Sequence, residues 1–143
     1  MKKRSIEIKL GIVLVSMLVF SSTISIASEG NFGPELEISK IKGGIARVSI
    51  EIHNIGDSVA ENITSTISVK GGFLNRIDIF DECSGCGHCN NSIPPGEIKM
   101  ESTHQFIFGL GPIDIIATAN ASGVPTIENA ASGFVIGPIV IIN

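Results

Sequence analysis

Between residues 45 and 69 the chain alternates. Ala46, Val48, Ile50 and Ile52 are separated by Arg47, Ser49, Glu51 and His53, the period of two that gives a β-strand one dry and one wet face. After the polar corner Asn54-Ile55-Gly56-Asp57-Ser58, the pattern resumes. Ile63, Ser65, Ile67 and Val69 then alternate with Asn62, Thr64, Thr66 and Ser68. The connection between residues 53 and 62 is too long for a two-residue hairpin. It predicts a corner at which the chain leaves one sheet and enters another, as a sandwich requires.

The same reading extends to both sides. Leu36, Ile38 and Ile41 predict a first strand, ended by the turn signal Lys42-Gly43-Gly44. Lys70-Gly71-Gly72 predicts a second turn, followed by a strand over 73–80 with Phe73, Ile77 and Ile79 as candidate core residues. Pro94-Pro95-Gly96-Glu97 has strong turn chemistry, since proline presets φ and glycine accepts a positive one. Ile98, Met100 and Ser102 alternate after it, then Phe106, Phe108 and Leu110, then Ile113, Ile115, Ala117 and Ala119. A last, nearly all-apolar strand is expected over 130–142, with Pro138 at an edge or a bulge because it cannot donate to a ladder. Seven or eight short strands at this spacing, with no helix after residue 28, predict an all-β fold. The expected architecture is an immunoglobulin-like β-sandwich over residues 36–143, behind a linker at 28–35.

Composition modifies this picture at the N-terminus. The mean hydropathy of +0.40 owes much to residues 10–20, which follow Lys2, Lys3, Arg4 and Lys9. Ser25 and Ala27 supply the small residues of a signal-peptidase site, so residues 1–27 read as a signal peptide. The alternative is an uncleaved signal anchor. Residues 10–26 lie at the lower limit for crossing about 30 Å of hydrocarbon, and their second half is rich in Ser and Thr. Either way, the basic start places the rest of the chain outside the cytoplasm, secreted or anchored at the cell surface. An anchor at 1–27 would be its membrane attachment. Residues 28–143 hold six Lys/Arg against thirteen Asp/Glu, a net −7, which argues against nucleic acid as a partner. Trp and Tyr are absent, so the core must be aliphatic with a few phenylalanines.

Three segments carry a resemblance: Val48-Ser-Ile-Glu-Ile-His-Asn-Ile-Gly-Asp, Ala60-Glu-Asn-Ile-Thr and Pro94-Pro-Gly-Glu. Together they resemble the CARDB-like (cell-adhesion-related) immunoglobulin-like domains of prokaryotic, especially archaeal, cell-surface proteins. The resemblance covers roughly residues 36–119. It implies a sandwich displayed at the cell surface, with a surface protein or an envelope polymer as partner. The C-terminus departs from the family's acidic, Asn-rich final strand.

One constellation has chemical potential. All three cysteines fall in Asp81-Glu82-Cys83-Ser84-Gly85-Cys86-Gly87-His88-Cys89. Outside the cytoplasm, a pair among Cys83, Cys86 and Cys89 is expected to form a disulfide and leave one thiol over. Alternatively, the C-x2-C-x2-C spacing presents three thiolates to a zinc or iron ion. His88, His104, Asp81 or Glu82 would then be candidates for the fourth ligand. In a third reading, Cys86-Gly-His-Cys89 is a redox pair like that of disulfide isomerases, although no thioredoxin-type helix follows. Asn62, Asn90 and Asn120 open N-x-S/T acceptors for glycosylation.

The sequence contains no serine-nucleophile elbow, phosphate loop or zinc-protease helix motif. The chain therefore reads as non-enzymatic and without a required cofactor. The functional expectation is an exported module for adhesion, envelope structure or protein–protein contact. The alternatives are a metal-binding or thiol-redox surface protein using the 83–89 cluster and, more remotely, a pilin-like filament subunit.

Overall fold

A computed structural model describes residues 33–84 and 91–143. Among them the chain is all-β, with eight strands of four residues or more and two short ones. The expected signal or anchor segment lies outside the described residues. A three-stranded antiparallel sheet has the order β1 (Leu36–Gly43), β2 (Val48–Asn54), β7 (Ile98–Ser102). A five-stranded sheet has the order β10 (Ile139–Ile142), β9 (Val124–Gly137), β8 (Gly109–Ala121), β4 (Thr64–Gly71), β5 (Ile77–Ser84). Two short strands, β3 (Ala60–Glu61) and β6 (Ser92–Ile93), pair with each other.

The inner faces of the two larger sheets share one aliphatic core. Val48, Ile50 and Ile52 of β2 pack with Ile67 and Val69 of β4, and with Ile113, Ile115 and Ala117 of β8. The alternation thus places its apolar residues inside over 48–52 and 63–69, although Ile45 is exposed and Ala46 lies before β2, and β2 and β4 do belong to different sheets. The uneven spacing of Leu36, Ile38 and Ile41 also has a cause. A bulge between Ile38 and Lys40 adds one residue, so Ile41 returns to the inner side and packs against the core.

Asn54 organises the corner. Its side chain is fully buried. Oδ1 accepts from the main-chain N–H of Gly56 (3.1 Å) and of Glu35 (3.3 Å), and Nδ2 donates to the carbonyls of Ser58 and Ile93, both at 2.8 Å. Its main chain bonds the 94–97 turn, donating to the Glu97 carbonyl at 3.1 Å and accepting from Gly96 N–H at 2.8 Å. Two of the segments that carry the resemblance therefore meet on one residue. Gly56 must stay small, since a Cβ there would lie 2.2 Å from the Gly33 carbonyl oxygen.

Four expectations are corrected. Phe73 is not in the core: residues Phe73–Asn75 form a 3-10 turn, and β5 starts at Ile77. The alternation of Phe106, Phe108 and Leu110 is real but faces the other way. Ile107 is 0% exposed, while Phe106 and Phe108 are 73% and 75% exposed. On β7 the inner positions belong to Lys99 and Glu101, opposite Ile52 and Ile50, so Ile98 and Met100 point outward. Finally, the apolar tail is two strands, with Gly137-Pro138 as the hairpin turn between β9 and β10. Pro138 sits in that turn, at the entry to the edge strand β10, where its missing N–H costs no ladder bond.

The free edge of β10 is closed by the turn after β1. Ile45 bridges Ile139, Val140 N–H donates to the Gly44 carbonyl at 3.0 Å, and Ala46 N–H donates to the Pro138 carbonyl. Gly43 permits this approach, because a Cβ there would clash with the Val140 main chain.

Candidate functional site

The expected chemical loop is only partly within the described residues. Cys86, His88, Cys89 and Asn90 lie outside them. Cys83 is buried on the inner face of β5, at a narrow crevice also lined by Ser65, Asp81, Glu101 and His104. Two of the proposed extra ligands do meet: His104 Nδ1 lies 3.0 Å from Asp81 Oδ1. The Asp81 carboxylate has a structural task, however. Its Oδ2 accepts the main-chain N–H of His104 at 2.6 Å and of Gln105 at 3.1 Å, and Gln105 Nε2 donates to the Phe80 carbonyl. These bonds tie the 103–105 loop to the edge of β5. Burial opposes ionisation of Asp81, but the two N–H groups and the His104 ring outweigh it, so the carboxyl sits below its ordinary range. Among the described residues no three His, Cys, Asp or Glu side chains are grouped as a metal site.

Of the acceptor asparagines, Asn62 and Asn120 are among the described residues and lie at the end of the sandwich where the corner is. Asn62 is exposed in a left-handed conformation (φ 54°). Its Nδ2 donates to Ser122 Oγ at 3.0 Å. Asn120 is half-buried on β8, opposite Thr64.

The opposite end carries a surface that the alternation pattern did not reveal. Four turns or loops converge there, and each presents large apolar side chains to solvent. Ile45 comes from the turn after β1, Phe73 and Leu74 from the 3-10 turn, Phe106 and Phe108 from the loop before β8, and Ile139 from the β9–β10 hairpin. Local sequence explains each position. Gly71 and Gly72 take φ values of 128° and 74°, which lets Gly72 N–H reach the Pro112 carbonyl at 2.7 Å and turns Phe73-Leu74 outward. Gly109 and Gly111 occupy inward positions next to the turn. A Cβ on Gly109 would meet the Ile77 side chain at 2.8 Å, and one on Gly111 the Phe73 main chain at 2.9 Å. With Ile107 and two glycines inside, Phe106, Phe108 and Leu110 are left outside.

Leu74 is the least expected of these. It is 74% exposed and holds a left-handed φ of 59°, a strained conformation for a bulky side chain. The exposed apolar surface continues onto the outer face of the five-stranded sheet. Ile139, Ile136 and Leu110 form one cross-strand row, and Ile141, Phe134 and Pro112 the next. Between the turns lies a cleft of about 550 Å³, walled by Phe73, Ile77, Phe108 and Leu110, with Arg76 also lining it. The Arg47 guanidinium sits over the Phe106 ring, 5.3 Å from its centre. A sequence clue existed: bulky residues directly after Gly71-Gly72, and apolar residues in both registers of 106–110.

No family model matches the chain, and no curated protein matches it.

Proposed function

We propose that the chain is a non-enzymatic module, exported to the cell surface, that works by contact with other envelope components. In this reading its sandwich is immunoglobulin-like and of the CARDB-like kind, and the apolar tip is the contacting surface. The observation that carries the reading is the clustering of exposed apolar residues at that tip. Five side chains from three turns and loops adjoin two apolar rows on β8–β10, and contiguous exposed apolar surface of this kind marks interaction sites. The loop-borne position fits as well, since rigid sandwiches commonly place binding residues on their connections. The resemblance of the 48–64 and 94–97 segments to surface-protein domains points to the same setting.

The test is retention on the envelope. The exported form is added back to envelopes of its own cells from which it has been stripped, alongside the Phe106→Ser/Phe108→Ser variant. At least about a fivefold loss of retained variant is expected, because two exposed aromatics would leave the contact. The thermal midpoint should stay unchanged, since both rings are solvent-exposed. Equal retention of the two proteins would overturn the reading.

A further inference from the structure

We infer that the tip docks on the surface of an anionic lipid bilayer, an assignment that rests on the contact-module reading and names its partner. The first support is the form of the surface. Ile45, Phe73, Leu74, Phe106 and Phe108 project from separate turns and loops. Projecting side chains of this kind can each sink to the depth of the headgroup–acyl boundary without requiring a matching relief on the partner.

The second support is the distribution of charge. Lys42, Arg47, Lys70 and Arg76 lie on the segments that build the tip, against the carboxylates Glu51, Asp78 and Asp114, which leaves Arg47 and Arg76 without an ion-pair partner among the described residues and the tip net-positive by one. Lys42 is paired with Glu51, and Lys70 lies 3.9 Å from Asp78. The opposite end is reversed. Residues 33–37, 54–63, 91–98 and 119–128 carry Glu35, Glu37, Asp57, Glu61, Glu97 and Glu128, with no Lys or Arg. A negative surface attracts the first end and repels the second, so it orients the molecule tip-first before any apolar contact forms.

The third support is chemical pairing at the tip itself. Arg76 lines the cleft together with Phe73 and Phe108, and Arg47 lies against Phe106. Arg47 places a guanidinium next to an apolar ring and Arg76 shares a cleft with two more, a combination suited to a headgroup phosphate with its acyl chain. The strain at Leu74 fits the same picture, because its left-handed turn holds the side chain out where it can be buried only by something else.

The absence of Trp and Tyr makes a direct test available in the full-length chain. Leu74→Trp puts one indole at the tip, and Val59→Trp puts one at the acidic end. Each protein is mixed with vesicles of phosphatidylcholine alone, or of phosphatidylcholine and phosphatidylglycerol, including brominated acyl chains as quenchers. The expected result is a blue shift and bromine quenching of the tip indole only, on the anionic vesicles only, reversed by salt. Arg47→Gln/Arg76→Gln in the Leu74→Trp background should weaken the apparent affinity at least about tenfold.

A tip indole that ignores vesicles but shifts blue as protein concentration rises would overturn the bilayer in favour of a second copy, leaving the contact module intact. If the tip indole ignores both, the bilayer inference falls. Envelope retention then decides separately whether another surface component is the partner.

Discussion

Asn54 satisfies its own amide and four main-chain groups at once, so its removal costs more than one contact. In Asn54→Ala the carbonyls of Ser58 and Ile93 and the N–H groups of Glu35 and Gly56 lose a partner in or near the core. We expect a loss on the order of 3 kcal/mol, measured by denaturant unfolding. A loss below about 1 kcal/mol would mean that water or a shifted corner replaces the amide. Asp81 is a milder case, with a pH signature. Its carboxyl is lowered in the fold, so the stability it contributes is fully present above its unfolded pKa and disappears as pH falls through the folded value. Asp81→Asn keeps an acceptor for His104 and Gln105 but loses the charge. It should therefore be about 1 kcal/mol less stable at neutral pH, and the difference from the parent should shrink below about pH 4. A difference that is constant across pH would assign the effect to packing instead.

At the scale of elements, the sequence was informative where polar and apolar residues strictly alternate. β2 and β4 are of that kind, and their faces, sheets and intervening corner follow from the pattern. It misled where both registers could be apolar or small. In 106–111 the inner side is Ile107, Gly109 and Gly111, and glycine carries no hydropathy signal. Only the need to clear Ile77 and the 72–73 main chain decides the face. The tip was missed for the same reason.

β7 misled in another way. Its inner positions hold Lys99 and Glu101, an ion pair at 2.8 Å with side chains 16% and 12% exposed. Inward-facing charge on an edge strand discourages another strand from adding to it. Removing one partner leaves the other poorly solvated. Lys99→Met or Glu101→Leu alone should thus cost about 1–3 kcal/mol, while the double variant recovers most of that loss. Sedimentation should show the double variant associating more than the parent. Single variants as stable as the parent would show that the pair contributes little.

The whole molecule combines an apolar, net-basic tip with an acidic opposite end, and no single residue announces that polarity. Lys and Arg are few, and their grouping beside the apolar 103–110 segment becomes visible only when the 42–47 and 70–76 segments are brought together by the fold. The cysteine loop, in contrast, was conspicuous in the sequence, and its thiol chemistry stands as an expectation centred on residues 83–89. The seam between the turn after β1 and strand β10 has a consequence in time. Ile45 and Gly44 find their partners in Ile139 and Val140, near the opposite end of the sequence. During synthesis, that turn stays unpaired until Val140 has emerged. The sandwich is thereby held short of its finished fold until its last described strand has been made.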